Sequence, residues 1–306
     1  MKSSFDKPLE LFDKRKYVKI CAPMVRFSKL GFRMLVRKYG CDLACTPMIM
    51  ADSFVQSKQA RDSEFTTNHT DRPLVVQFAS NNAKDFADAT ELVAPFCDAI
   101  DLNCGCPQRW ALGQGCGAFL IKQPETVVDM IQQARSRTNL PISIKIRICE
   151  DIKDTIELCR RVEHAHVSWI TVHGRTVKQR AEPVNNEVIK MVKDCLTIPV
   201  VANGDIRSLQ DAEAVHASTG VDGVMAARGI LANPAMYDGH PATPLQCVQD
   251  WVDLSLSVGT PFICFHRHLY NMTEEIMSKP DRQALKNLTS TSAVLDYLTH
   301  MKYITC

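Results

Sequence analysis

The chain has 306 residues, 45% hydrophobic and 23% charged, which is enough apolar material for one large domain with a smaller one beside it. Its 36 basic and 34 acidic side chains leave a formal net charge of +2, which neither demands nor excludes a nucleic-acid partner, because a binding face needs only a local excess. The first twenty residues mix Lys2, Asp6, Lys7, Glu10, Asp13, Lys14, Arg15 and Lys16 with few apolar positions, and no run of about eighteen apolar residues occurs anywhere, so neither a signal peptide nor a membrane span is expected.

Along the chain, short apolar or β-branched runs alternate with longer segments of helical periodicity. The runs are 17–22 (YVKICA), 42–46 (DLACT), 74–78 (LVVQF), 99–103 (AIDLN), 142–147 (ISIKIR), 169–173 (WITVH), 199–203 (PVVAN) and 223–227 (GVMAA). Helical spacing fills 28–39, 83–97, 124–137, 154–165, 187–195 and 208–218, and Ser28 and Ser208 are placed to cap two of these helices. Eight strand–helix units predict a parallel sheet closed into an α/β fold, the (β/α)8 TIM barrel. The stretch after the fourth run opens with the glycine-rich, polar segment 105–117, which suits an elaborated active-site loop. After about residue 240 the strand pattern stops. Pro241, Pro244, Gly259 and Pro261 punctuate helical segments at 245–258, 262–277 and 281–306. The expected division is therefore a barrel over 1–240 and a small all-helical C-terminal domain over 241–306.

Active sites of this barrel lie at the carboxyl ends of its strands, so the polar residues that close each run belong together. They are Pro23 and Met24, Met48, Gln77, Asn103 with Cys106, Lys145, His173, Asn203-Gly204-Asp205, and Ala227-Arg228. The loops after the seventh and eighth strands are the usual phosphate site of the fold, where glycines admit an anion to backbone N–H groups and Arg228 can fork onto it. Taken singly, those glycines could equally be plain strand-to-helix turns. In Ile144-Lys145-Ile146-Arg147 the alternation turns Lys145 and Arg147 away from the isoleucines. A lysine pointing into a barrel is costly unless it meets an anion, such as a reduced flavin, or reaches water from the strand end. His173 stands in the same layer, where it can hydrogen-bond a ring carbonyl.

The 13 cysteines sit mostly within apolar segments, as Cys21, Cys41, Cys45, Cys149 and Cys159 do, and lack the spacing of a disulfide framework. Reduced thiols in a cytoplasmic protein are expected, with a nuclear pool compatible. Cys106 differs, because Asn103-Cys104-Gly105-Cys106-Pro107 places its thiol in a turn just beyond the fourth strand. It could be nucleophile, acid or metal ligand. Cys104, Cys106 and Cys116 have no partners at finger-like spacing, so no metal is expected. An acid donating a proton opposite an arriving hydride fits a flavin reductase better than a nucleophile does.

These motifs together resemble the tRNA-dihydrouridine synthases over nearly the whole length. The resemblance is carried by Cys21-Ala22-Pro23-Met24, Asp101-Leu102-Asn103-Cys104-Gly105-Cys106-Pro107, Lys145-Ile146-Arg147, His173-Gly174-Arg175-Thr176, Asn203-Gly204-Asp205-Ile206 and Met225-Ala226-Ala227-Arg228-Gly229. It implies an FMN-bearing barrel whose flavin is reduced by NADPH or NADH, and which then reduces the C5–C6 bond of a flipped-out D-loop uridine in tRNA. On the same resemblance Pro23, Met24, Val25, Gln77, Lys145, His173, Asn203, Gly204, Asp205, Ala227 and Arg228 hold FMN. Cys106 protonates uracil C5, and Asn103 and Arg175 contact the uracil. Where many members carry glutamate before the methionine of the second-strand motif, this chain has Thr46-Pro47-Met48. That feature and Pro107-Gln108-Arg109-Trp110 are most similar to the eukaryotic 20a/20b subgroup.

Phosphate contacts are expected from Lys29, Arg33 and Arg37 on one face of the first helix, from His266-Arg267-His268 in the tail, and from Lys178 and Arg180 at the rim. A monomer is favoured. The competing expectations are a flavin oxidoreductase of a free pyrimidine, like a dihydroorotate dehydrogenase, and a tRNA-binding protein without catalysis. The intact Cys106, Lys145 and His173 oppose the second.

Overall fold

The computed structural model describes residues 5–305; Lys2 and Cys306 lie outside them. The strands are β1 (Val18–Cys21), β2 (Leu43–Cys45), β3 (Ile49–Met50), β4 (Leu74–Ala79), β5 (Ala99–Cys104), β6 (Ile142–Arg147), β7 (Trp169–His173), β8 (Val200–Asn203) and β9 (Gly223–Ala226). All pairings are parallel. The order runs β2-β1-β9-β8-β7-β6-β5-β4-β3, and a further pairing of β2 with β4 closes the ring. Eight strands therefore form the barrel expected from the sequence, while the two-residue β3 adds on β4 beyond the closure.

Parallel strands covered by helices are buried on both faces, which explains why the runs read as continuous apolar stretches. The outward-facing Ile100, Leu102, Ile144, Ile146, Ile170 and Val172 enter the main core beneath the helices. The inward-facing set divides by height. At the amino ends Val18, Leu43, Val75, Ala99, Trp169 and Val201 fill the interior, and the helix Pro8–Lys14 closes it with Leu11 and with Phe12, whose ring lies 5.7 Å from that of Trp169. At the carboxyl ends the interior residues are Gln77, Asp101, Asn103, Lys145, His173 and Asn203. One end of the barrel is thus plugged with hydrocarbon and the other left polar.

Local capping follows the sequence in part. The Ser208 side chain caps Leu209–Thr219 as expected, accepting from the amide of Asp211. Ser28 does not cap: the first barrel helix begins at Leu30, and the Ser28 hydroxyl instead receives the Met24 amide and donates to the Met24 carbonyl, tightening the loop after β1. Two short helices at Ala51–Gln56 and Lys58–Glu64 occupy a stretch for which the sequence offered no clear period.

Beyond residue 240 the described elements are the helices Leu245–Ser257, Phe262–Met272, Lys279–Lys286 and Thr291–His300. The expected single segment 281–306 is broken between the last two. Trp251, Phe265 and Leu269 belong to the same buried cluster as Phe32 and Leu35 of the barrel helix Leu30–Lys38.

That seam corrects two expectations about phosphate contacts. Arg33 is 1% exposed and binds Asp71, itself fully buried, with Nε and Nη2 at 2.6–3.2 Å, while Nη1 reaches the Ser28 carbonyl. Arg37 donates to Pro73 and Asp71. Arg33 is held beneath the surface and the half-buried Arg37 is tied to Asp71 and Pro73, while Lys29, also half-buried, donates to the Ser63 carbonyl. His268 is likewise buried, stacked on Phe32 at 4.3 Å beside Trp251 at 4.5 Å, and its Nε2 lies 3.0 Å from the Phe27 carbonyl. His266 is half-buried against the Leu285 carbonyl. Arg267 alone of that cluster is exposed.

Candidate active site at the carboxyl end of the barrel

The polar end is organised from the inside outward by a buried chain of amides. Asp101 accepts from Ser143 Oγ at 2.6 Å and from Gln77 Nε2 at 2.8 Å. Because a carboxylate only accepts, it turns the Gln77 oxygen toward Asn103, whose Nδ2 donates to it at 2.9 Å. The Asn103 oxygen is then free to accept the backbone N–H of Gly105 at 3.2 Å and of Cys106 at 2.9 Å. The orientation of the thiol turn is therefore set three hydrogen bonds away, by Asp101. Burial pushes the Asp101 carboxyl up to about 6, against the opposing pull of Ser143, Gln77 and Lys145.

Cys106 is half-buried at the end of this chain. Its carbonyl accepts the Ala118 amide at 3.0 Å. Gly117 backs it with φ +63°, and a Cβ there would stand 2.7 Å from the Cys106 carbonyl oxygen and 2.9 Å from its Cβ, so only glycine fits. The thiol is held from both sides. Cys116, almost fully buried nearby, is pushed up to about 11 by burial.

Lys145 pairs in register with Asn103 on β5 and projects to the same interior. No hydrogen-bond or ion-pair partner for its ammonium is present among the described residues, and burial, then Arg147, pulls it down to about 8. His173, opposite Arg147 and Asn203 in the neighbouring strands, is pulled down to about 2 by burial and by the cations Lys145, Arg147, Arg175 and Arg228. It is a neutral imidazole at any working pH, able to offer one donor and one acceptor.

The loops after β8 and β9 form a small hollow of about 60 Å³ lined by His173, Asn203, Gly204, Asp205, Arg228 and Gly229, among others. Asn203 Nδ2 donates to the Met225 carbonyl at 2.8 Å, and its oxygen has no hydrogen-bond donor among the described residues. Gly229 lets the two loops touch: a Cβ there would sit 2.2 Å from the Ile206 carbonyl oxygen. Arg228, largely exposed, reaches Asp205 at 3.1 Å. Beside this hollow, after the adjoining strand β1, Pro23 and Met24 are half-buried, whereas Val25 is 54% exposed.

Arg175, expected at the uracil, is engaged by partners within the protein. It is 2% exposed, binds the Glu182 carbonyl and the Asp205 carboxylate, and stands 3.5 Å from His173 Nε2. A guanidinium held on three sides positions His173 and the Asp205 loop. Asn103 likewise uses its amide first on Gln77 and on the thiol turn. Lys178 is 85% exposed, and Arg180, also exposed, lines the cleft above this floor.

Above this floor opens a cleft of about 800 Å³, a volume suited to a sizeable ligand. One side is Pro107, Gln108, Arg109 and Trp110; the other includes Arg147, His173, Val177, Arg180 and Arg228. Arg147 ties the walls together by donating to the Gly105 and Thr176 carbonyls, both at 3.0 Å. Asp101 and Arg109 carry no functional signal of their own in the sequence. Asp101 reads there as one polar residue in a strand, and its importance depends on Gln77 and Ser143 standing on either side. Among the described residues no group of three His, Cys, Asp or Glu side chains could hold a metal ion, and no helix is long and apolar enough to cross a membrane.

Comparison with solved structures is informative about architecture. A morphinone reductase matches with a TM-score of 0.51 at 9% identity over 72% of this chain and 84% of its own. A 2-naphthoyl-CoA reductase in complex with 2-naphthoyl-CoA gives 0.54 at 9% over 72% and 49%. In sequence, a mouse protein named tRNA-dihydrouridine(20a/20b) synthase [NAD(P)+]-like is 59% identical over 95% of this chain and 91% of its own. Its human namesake is 56% identical over 95% and 93%. A Saccharomyces cerevisiae tRNA-dihydrouridine(20a/20b) synthase [NAD(P)+] is 39% identical over 92% of this chain and 78% of that protein. The family model described as dihydrouridine synthase matches residues 20–297, and the chain belongs to that family.

Proposed function

We propose that the protein reduces the C5–C6 double bond of a D-loop uridine in tRNA, with Cys106 as the proton donor and FMN as its flavin. The observation that carries this reading is a half-buried thiol in a turn fixed by Asn103, followed directly by Pro107 of the arginine-lined cleft, on the same barrel end as Lys145 and His173. A flavin mononucleotide fits the residues present. The half-buried Lys145 ammonium, with no hydrogen-bond or ion-pair partner among the described residues, would meet an anionic ring. The Gly229 contact keeps the phosphate hollow open to backbone and to Arg228.

Residues that would hold FMN are Pro23, Met24, Val25, Gln77, Lys145, His173, Asn203, Gly204, Asp205, Ala227 and Arg228. When bound and reduced by NADPH or NADH, the flavin supplies the hydride for uracil C6. The protein supplies the rest. Cys106 would hold a proton at Sγ for C5, in a turn fixed by the Asn103 hydrogen bond and the close approach of Gly117. Neutral His173 and the free lone pair of Asn203 orient polar ring edges without adding charge. The amide chain from Asp101 keeps the Asn103 oxygen on the turn, and Asn103 retains one amide hydrogen for the uracil. A uridine must leave its stack to reach this floor, which favours a loop nucleotide.

The helices after residue 240 are the second tRNA-binding unit in this reading, supported by the exposed Arg267. A cytoplasmic location, with a nuclear pool compatible, suits the free thiols recorded for the described cysteines; a monomer is proposed. The test is direct: purified protein, FMN, NADPH and an unmodified tRNA transcript should yield dihydrouridine mapped to the D-loop by mass spectrometry. A yellow, reducible protein that leaves every D-loop uridine intact would overturn the substrate assignment.

A further inference from the structure

Trp110 stands out among the large side chains. The other two tryptophans, Trp169 and Trp251, are 2% and 1% exposed and serve the two cores, whereas Trp110 is 46% exposed. A singly exposed apolar residue ordinarily needs no explanation, but Trp110 lines the 800 Å³ cleft, on a five-residue helix (Arg109–Gly113) that follows the thiol turn directly. Charge gives the second observation. The cleft is lined by Arg109, Arg147, Arg180 and Arg228 and by no acidic residue. Arg147 and Arg228 have partners within the protein. The guanidinium groups of Arg109 and Arg180, on facing walls, have neither hydrogen bond nor ion pair among the described residues.

An open indole face between unpaired cations is complementary to a ligand that offers a π-face and a phosphate together, which is a nucleotide. Pulling one uridine down to the thiol unstacks its neighbours, whose faces are then free at the mouth. The geometry points to Trp110 as a stacking platform for the base of an RNA nucleotide adjacent to the reduced uridine, with Arg109 and Arg180 holding the flanking phosphates. This rests on the reading of the cleft as the site of uridine reduction, and it adds a recognition subsite one nucleotide away from the chemistry. The platform is indifferent to base identity, because every base has a π-face; it reads an unstacked strand, not a sequence.

Tryptophan fluorescence tests it, since Trp169 and Trp251 are sealed from ligand. The flavin-loaded protein is titrated with a short single-stranded oligoribonucleotide carrying a central uridine, and in a separate arm with NADPH alone. RNA should quench the wild-type emission, and Trp110→Phe should abolish the quench while retaining affinity within a few-fold. Trp110→Ala should weaken RNA binding about 5- to 150-fold, the range for loss of one base stack. Replacing the nucleotides beside the uridine by abasic residues should weaken the wild type by a similar factor and leave Trp110→Ala little changed. Wild-type RNA affinity in Trp110→Ala, or a quench that survives in Trp110→Phe, would overturn the platform. So would a quench produced by NADPH and not by RNA, which would assign the same nucleotide chemistry to the reductant. The readouts separate the two levels of inference. Dihydrouridine formed by wild type together with unaltered RNA binding by Trp110→Ala removes the platform alone; quenching by RNA without any dihydrouridine removes the uridine reading and keeps the platform.

Discussion

Two groups of basic residues, alike in sequence, have opposite fates in the fold. At the seam between the first barrel helix and the C-terminal helices, Arg33, Arg37 and His268 are sealed in by Asp71, Phe32 and Trp251 and by backbone carbonyls. At the mouth of the barrel, the exposed Arg109 and Arg180 line a cleft together with Arg147 and Arg228, and Lys178 is exposed close to Arg180 in the chain. A cation below the surface must be paired and hydrogen-bonded, and it then contributes to architecture. A cation left unpaired beside a cleft remains available to a ligand. Spacing along a helix does not distinguish the two, because the deciding partner, Asp71 for Arg33, lies 38 residues away in the chain.

The comparison can be broken most severely at its chemical centre. Replacement Cys106→Ala should slow dihydrouridine formation about 10²- to 10⁴-fold, the usual contribution of a positioned acid, measured in single turnover with pre-reduced enzyme. A fall of less than threefold would take the thiol out of the reaction. Next in size is Arg33→Met at the seam, which leaves Asp71 buried without its main partner and should cost about 3–5 kcal/mol of stability, read from urea unfolding. The same substitution at Arg180 should change stability by less than about 0.5 kcal/mol, as expected at an exposed site. Equal losses at the two positions would erase the distinction.

The seam also has a pH signature. Burial holds the His268 imidazole down at about 3, well below its ordinary 6.5. Between those values the unfolded chain binds a proton that the folded chain refuses, so stability falls as pH drops below about 6.5, at up to about 1.4 kcal/mol per pH unit for this group. His173, held down at about 2, adds to the same slope. His268→Phe keeps a ring against Phe32 and Trp251 while removing the titration, so its stability should decline less steeply between pH 6 and pH 4. Parallel curves for the two proteins would mean that His268 is not excluded from protonation in the native state.

How much of this was legible in the sequence depends on the range of the forces involved. The barrel strands were readable because a parallel strand buried on both faces must be apolar along its length, and the turn residues closing each run identified the carboxyl end. Cys106 was readable as well, since its glycine turn is local. The plug of Leu11 and Phe12, the Arg33–Asp71 pair and the contact of His268 with the Phe27 carbonyl were not, because each joins residues distant in the chain through three-dimensional packing alone. Asp101 is an intermediate case: its motif was visible, while its control of the Gln77 and Asn103 amides needs the register of β4, β5 and β6.

The smallest effects should come from the rim, and they sharpen the comparison because they concern binding and not folding. The Arg180 guanidinium has no hydrogen-bond or ion-pair partner among the described residues to lose, so Arg180→Ala should leave the melting temperature unchanged and weaken tRNA binding less than tenfold at physiological salt. Its characteristic mark is the salt dependence: each phosphate contact removed should reduce the slope of log affinity against log salt concentration by about 1. Lys178, 85% exposed and 3.8 Å from Glu150, is already partly balanced, so Lys178→Ala should move the slope less than Arg180→Ala does. The seam gives the control. Arg267→Ala tests the exposed member of the tail cluster, and a slope change there as large as at Arg180 would mean that the RNA crosses the helical tail as well as the barrel mouth.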